Sequence, residues 1–118
     1  MEESNVNHGT VLTLKMDIGY TAKIRFTITE DGVQPSVTGW TWQLLVKRFP
    51  GDRKNLISLT LNNGLAYEIY SDTVLIATLS ATQTALEEGE YYWALVRTDL
   101  DRKWVEGKMF FNFANPSI

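Results

Sequence analysis

The sequence predicts an all-β domain, an antiparallel immunoglobulin-like β-sandwich of about eight strands with one short helix over residues 81–88 before the penultimate strand. Three observations carry this expectation. Apolar residues recur at every second position in several segments, as in Ile24, Phe26 and Ile28 or Trp40, Trp42, Leu44 and Val46, which is the period of a strand with one face buried. Turn-forming groups such as Asp31-Gly32, Pro50-Gly51 and Asn62-Asn63-Gly64 separate those segments at the spacing of a sandwich. Repeated strand-helix alternation is missing, which argues against a parallel α/β fold.

Residues 1–9 lack periodicity and read as a flexible N-terminal arm, so the domain proper is expected over 10–118. A weakly alternating strand spans Thr10 to Lys15, and a cleanly alternating one Thr21 to Thr29, with Lys23, Arg25 and Thr27 on its polar face. Asp31-Gly32 supplies a turn able to take positive φ, and Pro35 and Thr38-Gly39 prolong the connection. Trp40 to Lys47 follows as a central strand and ends at the Phe49-Pro50-Gly51-Asp52 turn. Leu56 to Leu61 and Leu65 to Tyr70 read as a hairpin closed by Asn62-Asn63-Gly64, and Thr73 to Leu79 as the next strand after a Ser71-Asp72 turn. Ser80 to Gln83 then matches a capping box, the next residues favour a helix, and Gly89 sits where a helix stops. Glu90 to Thr98 and Trp104 to Phe113 return to strand around the polar turn Asp99 to Lys103, with Gly107 a bulge or close-approach point and Pro116 ending the pattern.

At 118 residues, 44% hydrophobic and 21% charged, the composition is that of one ordinary globular domain. With no cysteine, disulfides, thiol catalysis and cysteine-based metal sites are excluded. A net charge of −3 offers no global field to gather nucleic acid or an anionic membrane. The polar opening, Glu2 to Asn5, lacks the pattern of a signal peptide, and no apolar run reaches the length of a membrane span, so cytoplasmic synthesis without a leader is expected.

No constellation of catalytic residues emerges. His8 is the only histidine and lies in the expected arm, a poor frame for a triad or a metal. Asp99 and Asp101 lack the loop length, glycine and closing glutamate of a calcium loop, and turns favour aspartate anyway. Glu87, Glu88 and Glu90 do not face one another across a cleft, so they read as a solvated face. No catalytic, cofactor-binding or metal-binding residue is therefore assigned. Lys47, Arg48, Arg53 and Lys54 form the one local basic cluster, with Phe49 at its tip, suited to an acidic partner surface. Trp40, Trp42 and Trp93 are expected in the core, while Trp104 follows a turn and is the candidate for exposure.

Two stretches carry a family resemblance. Asp31 to Thr41 resembles a connection in which an apolar residue and Thr38-Gly39 lead into a strand, and Thr84 to Tyr91, followed by Leu95, resembles a short helix, glycine and tyrosine that open the penultimate strand. Together with the strand order, over roughly residues 10–114, the chain resembles the small β-sandwich domains of tailed-phage and prophage structural proteins, in particular the N-terminal domain of phage baseplate upper proteins. The resemblance implies a virion structural or assembly subunit of tail or baseplate type, with no enzymatic residues to carry over. Its partners would be other virion proteins or itself in a homo-oligomer, without nucleic acid or membrane.

The expected interface comprises Lys47, Arg48, Phe49, Arg53 and Lys54 on the basic loop, Glu87, Glu88 and Glu90 at the helix end, and Trp104. A head-to-tail contact would set loop against helix end in successive copies. The alternative is a carbohydrate-binding module, which needs two or more coplanar tryptophans on an exposed face.

Overall fold

The computed structural model describes residues 2–69 and 73–113. Among them are ten strands and no helix: β1 (Glu2–Asn7), β2 (Thr10–Val11), β3 (Leu14–Asp17), β4 (Ala22–Thr29), β5 (Trp42–Lys47), β6 (Ile57–Leu61), β7 (Gly64–Tyr67), β8 (Val74–Leu79), β9 (Gly89–Arg97) and β10 (Arg102–Asn112). The all-β class stands. The arrangement differs from two antiparallel sheets, for the strands join one mixed sheet in the order β1-β4-β8-β7-β6-β5-β9-β10-β2, with β3 also on β10.

That sheet curls until its ends nearly meet, giving a flattened, almost closed barrel. β1 passes through the His8-Gly9 turn into β2, where the Gly9 N–H donates to the Trp104 carbonyl (2.7 Å) and the Trp104 indole N–H donates to the Val6 carbonyl (3.1 Å). Closure of this kind removes exposed sheet edges. The alternation read in β4 is fulfilled: Ile24, Phe26 and Ile28 are buried, and Phe26 stacks on Trp93 of the opposite wall with ring centroids 5.6 Å apart. A single apolar cluster runs from Val6 to Phe111. The Asp31-Gly32 turn takes positive φ at both residues, 53° and 80°, between the paired Glu30 and Val33.

Several further expectations are corrected or refined. The arm is not free: residues 2–7 form β1, parallel to β4, with Val6 fully buried opposite Ile28. Val6 is the one apolar residue in that strand, so periodicity could not reveal it, and the backbone of β4 supplies the pairing.

The helix over 81–88 is absent. Its capping box is real, with Ser80 N–H donating to Gln83 Oε1 (2.9 Å) and Gln83 N–H to Ser80 Oγ (3.1 Å). Only one turn follows, closed by Thr84 N–H on the Ser80 carbonyl (3.0 Å), before Leu86 N–H folds back on the Thr84 carbonyl (2.8 Å). Tertiary contacts decide the outcome: Thr84, fully buried, donates its hydroxyl to the Tyr20 carbonyl (2.7 Å), and Leu86 turns inward against the core. Two helical turns would not repay their nucleation cost against those contacts.

The Asn62-Asn63-Gly64 turn does not close a hairpin. β6 and β7 run parallel, Thr60 beside Gly64 and Leu61 beside Leu65, so the turn is a sideways step from pairing with β5 to pairing with β8. Positive φ at Asn62 (67°) and Gly64 (97°) makes the step, and a β-carbon at Gly64 would lie 2.5 Å from Leu59 Cδ2. The Ser71-Asp72 turn, Tyr70 and Pro116 lie outside the described residues.

Gly107 is a close-approach point rather than a bulge, the register shift in β10 falling between Lys103 and Val105. The alternating segment 10–15 is likewise broken into β2 and β3, both parallel to β10.

Candidate functional site

The nine expected interface residues divide into groups with different surroundings. Arg48 is not a free cation. Its guanidinium lies over the Tyr91 ring, 4.5 Å from the centroid, and donates to the Glu90 carbonyl at 3.2 Å. Because β5 pairs with β9, Lys47 opposite Tyr92, the basic loop and the acidic segment are neighbours within one molecule. Phe49 is 60% exposed at the loop tip, Arg53 and Lys54 point into solvent, and the Phe49-Asp52 turn is closed by Phe49 N–H on Asp52 Oδ2 (3.1 Å).

On the acidic side, Glu87 and Glu88 are exposed, and the Glu87 carbonyl accepts the Tyr91 hydroxyl at 2.7 Å. Glu90 is engaged: its carboxylate pairs with Lys108 at 2.8 Å, and the hydrogen bond that the Lys108 ammonium donates to it holds that ammonium above its usual pKa. Trp104 leaves the interface set altogether. It is 2% exposed, packed edge-on to Trp42 with centroids 5.7 Å apart and covered by His8. Trp42 and Trp93 are equally buried, and Trp40 is half-buried with the Arg97 guanidinium 3.4 Å from its ring centroid. The paired exposed tryptophans that a sugar platform requires are therefore not present, and the carbohydrate alternative loses its motive.

What the sequence did not reveal is the surface these residues border. On the outward face of β5, β9 and β10, strand register lines the side chains into rows. Lys47, Tyr92 and Lys108 form one row, and Leu45, Ala94, Glu106 and Val11 the next. A third row holds Gln43, Val96 and Lys103. Down the middle the floor is apolar, and Pro50 of the basic loop closes one side of a hollow of about 370 Å3 above it. Of these residues only Lys47 belongs to the expected interface, and the others carry no local signal of a shared surface. Their juxtaposition depends on which strand lies beside which, and that is not written in any local pattern.

Elsewhere the polar groups serve the fold. Asp99 receives Arg97 Nε at 3.1 Å and Nη2 at 2.9 Å as well as the Thr41 N–H at 3.3 Å. Burial works against its charge, but those donors outweigh it and hold the Asp99 carboxyl below the usual range. The Tyr67 hydroxyl is shared between the carbonyls of Trp40 (2.8 Å) and Val37 (3.0 Å) while accepting the Trp42 indole N–H (3.1 Å), and burial pushes its pKa up.

No family model matches the chain, and no curated protein sequence matches it. Among solved structures it is similar to the N-terminal domain of phage TP901-1 ORF48, with a TM-score of 0.50 and 12% identity over 95% of this chain and 99% of that one. The fold is shared with a phage domain. The chain is also similar to the NK cell receptor NKp44, a triggering partner in natural cytotoxicity, with a TM-score of 0.44 and 11% identity over 89% of this chain and 97% of that one.

Proposed function

We propose that this chain is a non-enzymatic structural or assembly subunit of a phage or prophage particle, of tail or baseplate type, that works through contacts with other particle proteins or with copies of itself. The observation that carries the proposal is the outward face of β5, β9 and β10, where Leu45, Tyr92 and Val96 line an apolar floor between lysines on a sheet that already has a complete core beneath it. Antiparallel sheets that simply meet water carry polar residues outward, so apolar ones there are suited to a partner. The fold shared with a phage domain supports the particle context. A net charge of −3 supports protein rather than nucleic acid or membrane as the partner.

The test is composition of the particle. The gene is tagged in its own host, particles are induced and banded by density, and proteins are quantified by mass spectrometry. The chain is expected at a fixed ratio to tail proteins. Its absence from intact particles and from their assembly intermediates would sink the proposal.

A further inference from the structure

Three features compete for a role beyond general assembly. A wide trough of about 1010 Å3 follows β7 and β8 past Ala66 and Ile76, but its one acidic rim residue, Glu68, is taken by Arg25 at 2.7 Å, and nothing there selects an occupant. A cleft between His8, Asp31 and Arg102 is lined mainly by polar and charged side chains, with Trp104 nearly buried, and the Arg97 in its wall is spent on Asp99 and Trp40. The outward face of β5, β9 and β10 selects its occupant by charge.

We infer that this face docks a segment of a different protein that carries carboxylates on both sides of a large apolar side chain. The inference rests on the assembly role proposed above and specifies its partner chemistry. Tyr92 lies at the centre of the first row with Lys47 and Lys108 directly opposite it on either side, at cross-strand distances of about 5 Å. The next row drops to Ala94 between Leu45 and Glu106, and this small residue makes the hollow beside the ring. An apolar side chain entering there meets Tyr92, Leu45 and Val96, the kind of desolvated aromatic centre that dominates interface energetics.

Charge then narrows the occupant. Lys108 is paired to Glu90 and Lys103 to Glu106, whereas Lys47 has no ion partner among the described residues. Three lysines against those two glutamates leave the face positive in a chain whose net charge is −3. Two copies meeting face to face about a two-fold axis would bring lysines against lysines around Tyr92, so a second copy is a poor occupant. A carboxylate of the partner meets the unpaired Lys47 directly, and a second, on the other side of Tyr92, shares Lys108 with Glu90.

The experiment is a selection of random 12-residue peptides displayed on a carrier against the folded chain, counter-selected against the variant Lys47→Glu/Lys103→Glu/Lys108→Glu. Enriched peptides are expected to place Asp or Glu on both sides of an aromatic or large aliphatic residue. They should shift the amide resonances of Leu45, Tyr92 and Val96, and bind on the order of tenfold more weakly to Tyr92→Ala and at higher salt. Both variants carry outward-facing changes, and their unfolding midpoints confirm that they are folded before they are compared. Basic or purely apolar peptides, enrichment that the charge-reversed variant shares, or no enrichment would overturn the inference. So would a dimer whose protected amides cover this face, since the occupant would then be a second copy. Presence of the chain in particles without acidic peptides on this face removes the docking inference alone, whereas acidic peptides on this face with the chain absent from particles remove the particle role alone.

Discussion

The Leu12 carbonyl accepts the indole N–H of Trp93 at 3.0 Å, and it stands in the space that a side chain at Gly107 would occupy. A β-carbon built on Gly107 would lie 1.9 Å from the Leu12 oxygen and 2.8 Å from its carbon, and both are backbone atoms with little freedom to move. The glycine thus lets the β2–β3 connection press onto β10, which brings the carbonyl to a buried donor. Gly107→Ala is expected to cost about 2 to 3 kcal/mol by displacing that backbone, read as a fall in the urea midpoint. Trp93→Phe, which keeps much of the ring but strands the carbonyl, should cost about 1 to 3 kcal/mol. A midpoint for Gly107→Ala equal to that of the parent would mean that Leu12 is held elsewhere.

The turn at 80–86 predicts a separation of effects that a helix would not give. Thr84→Val removes the hydroxyl that bonds the Tyr20 carbonyl at 2.7 Å and the Ala81 carbonyl at 3.2 Å, and should destabilise by about 1 to 2 kcal/mol. Ala85, exposed and outside any regular element, should tolerate glycine within about 0.5 kcal/mol, whereas in a helix interior the same change costs about 1 kcal/mol. Equal losses at both positions would restore the helix.

This pair also marks how far local sequence carries. β4, β5 and β9 were legible because each buries one face, and a two-residue period appears wherever that holds. The capping box at Ser80 was legible too, since it is a contact between near neighbours, but its continuation was decided by Tyr20, sixty-four residues from Thr84. β1 has Val6 alone to announce it, and the step at Asn62 to Gly64 uses the same residues that a hairpin would. The charged loop at 47–54 could be seen in the sequence, whereas the apolar face beside it arises from strand order.

Asp99 should make stability depend on acid. Its carboxyl titrates below its ordinary value in the fold because of Arg97 and the Thr41 N–H, so the folded state binds the proton less readily than the unfolded chain. The stabilisation is therefore fully present above the unfolded pKa, near 3.9, and is lost as the pH falls through the lower folded value. Asp99→Asn removes the ionisation, so at neutral pH it should be less stable by about 0.5 to 1 kcal/mol, the scale of a partly exposed pair. The difference from the parent should shrink as the pH drops below about 4. Parallel loss curves for the two proteins between neutral pH and acid would show that Arg97 gains nothing from the charge.

The five loop residues, although they lie within one eight-residue stretch, should respond to mutation in two distinct ways. Arg48 packs on Tyr91 and bonds the Glu90 carbonyl, so Arg48→Ala removes a cation–π contact and a charged donor and should cost about 1 to 2 kcal/mol of stability. Arg53 and Lys54 are exposed, and Arg53→Glu/Lys54→Glu should leave the unfolding midpoint within about 0.5 kcal/mol. The same double change should weaken association, because it reverses the charge of a loop that borders the apolar face. Since the loop and the Glu87-Glu88 segment sit side by side in one molecule, a contact between them in two copies would close as a symmetric pair rather than extend as a head-to-tail chain. Light scattering on assembled material decides the matter: a lower mass for the double variant, with an unchanged midpoint, assigns Arg53 and Lys54 to an interface. The same mass as the parent removes them from it.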